Sequence, residues 1–152
     1  MVEKKGGHSV EGIFRVSGSK ESADALMDVL DTAGDDPNTA AVLEMAGPVV
    51  AATALKHWLG ELRDPVFPFV LYDEAIAAHR DAEKAHAVCM KLPHASRDLL
   101  HTLCGYLRGL SEQMDVTSMG ASNLALVFAP NLVRFDPDTV DPVSSKASHN
   151  CD

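Results

Sequence analysis

A chain whose apolar residues return every three to four positions, stretch after stretch, buries them by folding as helices. That spacing constrains this sequence more than any other feature. The clearest case is the stripe Leu99, Leu100, Leu103, Cys104, Leu107 and Leu110, on a helix that Ser96 is placed to cap and that runs to about Leu110. Ala23, Leu26, Met27 and Leu30 repeat the pattern over Lys20 to Asp31, with Ser19 as the N-cap. Ala51, Ala54, Leu55, Trp58 and Leu62 repeat it again after Pro48, a residue suited to the first turn of a helix. The expected fold class is all-α, a single globular multi-helix domain.

The intervening segments are less regular. Gly34 to Asn38 is a turn cluster, and Thr39 to Met45 is a short apolar segment whose type the pattern leaves open. Pro65 and Pro68 make Arg63 to Pro68 a rigid extended connector, since each lacks an amide donor and restricts the residue before it. Two helices fit Phe69 to Leu92, one burying Leu71, Tyr72, Ala75 and Ile76, the other Ala85, Val88, Cys89 and Leu92, with Pro93 ending the second. After Ser111 to Gly120, Leu124, Ala125, Val127 and Phe128 belong to a more fully buried helix that is expected to stop before Pro130. Residues 1–10 read as a polar, frayed beginning, 11–134 as the helical domain, and 135–152 as an exposed acidic tail.

With 152 residues, 46% hydrophobic and 23% charged, the chain is long enough to build one core without disulfides or metal. A net charge of −9 disfavours nucleic acid and anionic lipid as partners. It leaves room for a local cationic patch of Arg15, Lys20 and Lys56. Cys89, Cys104 and Cys151 form no CxxC pair, which argues against a disulfide framework or thiolate zinc site and points to a reducing, cytoplasmic setting. His8, His57, His79, His86, His94, His101 and His149 are scattered without zinc-ligand spacing, so no metal site is expected. No secretory signal or membrane span is readable, because the apolar region from Val42 to Leu55 is interrupted by Glu44, Gly47 and Pro48. The sequence has no Gly-x-Ser-x-Gly elbow, which leaves a hydrolase triad little support, and no Gly-x4-Gly-Lys-Ser/Thr loop, so the chain is not expected to bind nucleotide phosphates by itself and any phosphate must come with a partner.

Glu11-Gly12-Ile13-Phe14-Arg15-Val16-Ser17-Gly18-Ser19 sets one cation in a short apolar run closed by glycine and serine. Ile13, Phe14 and Val16 are able to tie the segment to a core, while Gly12 and Gly18 allow turns. Such a loop would present the Arg15 guanidinium, a planar fork of five donors charged at any physiological pH, to phosphate oxygens. The competing use of such an arginine is an ordinary salt bridge or a snorkelled surface position. Lys56, opposite the Trp58 stripe, would project from the exposed side of its helix, either as an aimed cation or as a solvated surface lysine.

Three segments in order carry a family resemblance: residues Glu11 to Ser19, then Leu55-Lys56-His57-Trp58-Leu59-Gly60-Glu61-Leu62-Arg63-Asp64-Pro65, then Asn123-Leu124-Ala125-Leu126-Val127-Phe128-Ala129-Pro130-Asn131-Leu132. Together they resemble the GTPase-activating domain of the Rho family. The resemblance implies that Arg15 is the arginine finger inserted in trans beside GTP bound to a small GTPase. It implies that Lys56 holds the finger loop or the partner's switch region, and that Asn131 contacts the same neighbourhood, a role that competes with capping the helix near Pro130. The implied partner is a Rho-family GTPase in its GTP-bound state, which brings the GTP and Mg²⁺; no cofactor is implied for this chain. Asn123 reads as structural. Gly60 stands where the family usually carries an arginine, only ten residues precede Glu11, and the family's further helical stretch past the third motif is replaced here by the tail. These departures keep a second reading in view, a module that binds a small GTPase without accelerating hydrolysis.

Overall fold

The computed structural model describes residues 9–34 and 36–137. Most of the polar beginning and the tail from residue 138, including His8, His149 and Cys151, lie outside the described residues. Within them the helices are α1 Lys20–Ala33, α2 Thr39–Ala46, α3 Pro48–Glu61, α4 Tyr72–Ala77, α5 Ala82–Met90, α6 His94–Ser111, α7 Met114–Thr117 and α8 Ala121–Leu132. A 3-10 turn, Phe69–Leu71, leads into α4. The fold is all-α, and among the described residues no strand forms. Phe67 and Val133 make an isolated parallel bridge in which the Phe67 N–H donates to the Leu132 carbonyl at 3.1 Å.

Helix α3 organises the interior, because it packs against α1 and α2 on one side and α8 on the other. Its Ala54 joins Ala23 and Leu26 of α1 in one buried cluster. Its Ala52 and Leu59 join Ile13, Phe14, Val66, Leu103, Leu110, Met119, Leu124 and Phe128 in the main core. Val10, at the end of the segment read as polar, also packs against this main core. A third cluster, Leu71, Ala78, Val88 and Leu92, holds α4 and α5 to the connector through Phe67. Ser19 caps α1 as expected, its hydroxyl accepting from the Ser22 N–H at 3.3 Å.

Several expectations are corrected. On α3, Thr53 and Leu59 are buried while Trp58 is 40% exposed, so the buried face is rotated from the expected stripe. A helix enclosed on two sides buries most of its circumference, and a one-sided pattern misplaces its face. Helix α6 starts at His94 with Pro93 in the cap position, and Ser96 falls in its first turn. Its Cys104 is exposed. The helix before it ends at Met90, ahead of Pro93. Ile76 and Ala85 also lie exposed, because short α4 and α5 bury one edge each. Ser111 to Gly120 contains the additional short helix α7.

Helix α8 does not stop before Pro130 but runs through it to Leu132. Pro130 lies exposed, as does Leu126, whose carbonyl loses its helical donor there. The forfeited bond therefore falls on the solvent side, where water replaces it. The helix is also less buried than its composition implies, with Leu126 75% exposed.

Candidate functional site

The site begins with two residues of the first motif held at positive φ. Gly12 and Phe14 both have φ of 69°. At Gly12 the positive φ itself favours glycine, and an added Cβ would also lie 3.1 Å from Val16 Cγ2. At Phe14 a side chain tolerates a conformation that costs on the order of 1–3 kcal/mol. Burial of its ring offsets that cost: Phe14 is 2% exposed, with edge contacts to Phe128 at 4.9 Å and Tyr106 at 6.2 Å between ring centroids. The Gly12 N–H donates to the Thr117 carbonyl at 2.7 Å, and the Gly12 carbonyl accepts from the Arg15 and Val16 N–H groups at 2.9 and 2.8 Å. Gly18 closes the loop, its N–H donating to Thr53 Oγ1 of α3 at 2.8 Å.

Gly12, Ile13 and Phe14 are thus buried, while Arg15 immediately after them is exposed. Among the described residues no carboxylate forms an ion pair with Arg15. The backbone beneath the guanidinium is fixed, and the guanidinium faces solvent. Lys20 is likewise exposed, on the first residue of α1.

Lys56 is placed differently from the expectation of an outward-aimed cation. It is half-buried, and its ammonium donates to the Phe14 carbonyl at 2.6 Å. Burial pushes its pKa below the ordinary lysine value. The long side chain folds back because the positive-φ turn leaves a carbonyl without a helical or strand partner, and an ammonium three donors wide meets that need. The ammonium thus contacts the loop that carries Arg15.

One turn along the same face is Gly60, where an added Cβ would lie 3.1 Å from Asn131 Oδ1. Gly60 therefore lies against α8 in a close approach. Asn131 is inside the last turn of α8 rather than after its end, and its Nδ2 donates to the Val127 carbonyl at 3.0 Å. The structure thus gathers the loop of Arg15, Lys56 and Asn131 along one side of α3. Asn123 bonds locally, its Nδ2 donating to the Ser118 carbonyl at 3.1 Å.

Arg134 is the site residue that sequence reasoning missed. Its Nη1 donates to the Gly60 carbonyl and its Nη2 to the Leu62 carbonyl, 74 and 72 residues away along the chain. The sequence carried no specific signal for it. Helix α3 has no basic residue in its last turn, so its terminal carbonyls need donors from elsewhere.

Other chemistry finds little support. Among the described residues no group of three or more His, Cys, Asp or Glu side chains gathers to hold a metal ion. Cys89 is half-buried and Cys104 exposed, and partial desolvation of the two free thiols raises their pKa values, helped at Cys104 by the nearby Cys89, which makes both poor nucleophiles. No single helix among the described residues is long and apolar enough to cross a membrane. An apolar groove of about 740 Å³ opens between α1, α3 and α6, lined by residues that include Met27, Leu30, Trp58 and Tyr106. Neither Arg15 nor Lys56 lines it.

Comparisons with known proteins place this geometry among relatives. Residues 1–137 match the model of the RhoGAP domain. Rho GTPase-activating protein 44 of Rattus norvegicus is 37% identical over 133 residues, a match that covers 84% of this chain and 16% of that protein. The chain spans about a sixth of the length of that relative. The crystal structure of human Rho GTPase activating protein 15 superposes with a TM-score of 0.72 at 27% identity, over 94% of this chain and 69% of that one. The BH domain of GRAF, the GTPase regulator associated with focal adhesion kinase, superposes with a TM-score of 0.76 at 26% identity, over 94% and 77% respectively.

Proposed function

Because the chain belongs to the RhoGAP domain family, we propose that it stimulates GTP hydrolysis by a GTP-bound Rho-family small GTPase, with Arg15 inserted in trans as the arginine finger. The observation that carries this reading is the contrast between Arg15 and its neighbours. An exposed guanidinium without a carboxylate partner among the described residues sits on a backbone pinned by buried Ile13 and Phe14 and by Lys56. A cation held this way needs little reorganisation when charge develops between the β- and γ-phosphates. The planar fork presents its donors in a fixed geometry that matches phosphate oxygens, where an ammonium is a point charge.

The partner supplies GTP, Mg²⁺ and the residue that orients the attacking water. This chain supplies the finger and the surface that docks it, so it completes another protein's active site and is not an enzyme in its own right. In the related Ras system, an arginine supplied in trans is worth about 10³ to 10⁵ in rate. Acting on such a partner, the domain works in the cytoplasm.

A second reading, binding without acceleration, draws on one observation. Gly60 offers no cation beside Lys56, and Lys56 is itself turned inward to Phe14, so this face of α3 presents less positive charge to a partner. Single-turnover GTP hydrolysis over a panel of Rho-type GTPases, with affinity measured on the same pairs, separates the two. Acceleration above the intrinsic rate supports the activator, and tight binding with an intrinsic rate supports the binding module.

A further inference from the structure

The two carbonyls gripped by Arg134 belong to the last turn of α3 and the residue that leaves it. That end of the helix has no basic residue of its own, and the chain departs it directly, Leu62 having φ −53° and ψ 128°. Arg134 therefore supplies both the missing donors and a positive charge at the negative end of the helix dipole. Its position is expensive. The guanidinium is drawn from water far enough that Nε is buried without a hydrogen-bond partner. The backbone that carries it is fixed as well, since Val133 bridges Phe67 and the Phe67 N–H bonds the Leu132 carbonyl.

We infer that Arg134 is a positioning residue for Arg15, acting through α3 and Lys56 without touching the partner. The chain of contacts is short. Arg134 fixes the Gly60 carbonyl, Gly60 seats against Asn131, Lys56 lies one turn earlier on the same face, and its ammonium holds the carbonyl of Phe14, the residue before Arg15. Two hydrogen bonds are thus joined by one turn of α3, so a displaced α3 terminus moves Lys56 and loosens the loop. The inference rests on the activator reading above.

The test compares the parent, Arg134→Met, Lys56→Met and the double variant in single-turnover hydrolysis at saturating domain, with affinity for the partner loaded with a non-hydrolysable GTP analogue. Trp58, the chain's one tryptophan, lies on α3 between Lys56 and Gly60, and its fluorescence reports that helix. With far-UV circular dichroism unchanged, Arg134→Met is expected to shift Trp58 emission and lower the saturated rate by about tenfold or more, since small misplacements of a reacting group are costly. Affinity for the analogue complex is expected to stay within about threefold. The double variant is expected to be no slower than Lys56→Met, because the two residues act in series.

A folded Arg134→Met with a saturated rate within about twofold of the parent overturns the inference, as does a double variant whose losses multiply. If Arg134→Met fails to fold, Arg134→Lys takes its place. An ammonium does not reproduce the planar fork that spans both carbonyls, so at least about a threefold loss is expected, and a rate equal to the parent's overturns the inference. A parent that gives no acceleration on any partner removes the activator reading, and this inference with it. A parent that accelerates while Arg134→Met matches it removes this inference alone.

Discussion

The Lys56 ammonium donates to the carbonyl oxygen of Phe14 at 2.6 Å, across 42 residues of sequence. This bond links the helix at the centre of the fold to the residue that precedes the exposed arginine. Lys56→Met keeps the aliphatic stem and removes the donor. It is expected to cost about 1 kcal/mol of stability, the scale of one hydrogen bond, and to slow saturated hydrolysis by about tenfold or more. Urea unfolding and single-turnover hydrolysis check the two parts.

Burial of the same ammonium gives a pH dependence with a definite sign. Burial holds the pKa of Lys56 in the folded chain below its ordinary value of 10.5. The folded state therefore binds this proton less well than the unfolded state, and stability rises with pH across the window between the lowered folded pKa and 10.5. As pH falls through the folded pKa, that gain is lost. The stability difference between the parent and Lys56→Met should shift in the parent's favour as pH rises through this window, as measured by urea unfolding at matched ionic strength. A difference that stays flat would mean the ammonium is as well solvated as in the unfolded chain.

Phe14 tests the loop itself. Phe14→Leu keeps an apolar plug and should lose roughly 1–3 kcal/mol, while Phe14→Val should lose more, because a β-branched residue resists the positive φ seen here. Thermal unfolding of the two variants ranks them. Equal stabilities would show that the loop relaxes to negative φ when the ring is removed.

Gly60→Ala would ordinarily gain about 0.5–1 kcal/mol by removing a helical glycine. Here the added Cβ meets Asn131 Oδ1 at 3.1 Å, and Asn131 is anchored to the Val127 carbonyl. The gain should be reduced or reversed in the parent and recovered in an Asn131→Ala background. A double-mutant cycle by urea unfolding measures that coupling, and additive effects would contradict the close approach.

The long helices were legible because each solves a one-sided burial problem. Helix α1 shows its buried face through Ala23 and Leu26, and α6 through Leu103 and Leu110. Helix α3 was harder to read, since contact on two sides erases the single stripe and buries Thr53 while Trp58 emerges. Pro130 misled for a local reason, because its missing bond costs little on a solvent face. The exposure of Arg15 on a loop held by Ile13 and Phe14 was legible from the residues around it. The inward turn of Lys56 and the reach of Arg134 depend on unpaired carbonyls at Phe14, Gly60 and Leu62, which appear only once the backbone is folded.

The central claim is that Arg15 acts on charge that develops during hydrolysis, and the saturated single-turnover rate of Arg15→Ala against the parent tests it most directly. The expected result is a loss of about 10²-fold or more in rate, with affinity for the partner bearing a non-hydrolysable GTP analogue within about threefold, because the interaction strengthens mainly in the transition state. Equal saturated rates for the two proteins would contradict the account and leave a module that binds its partner without accelerating it.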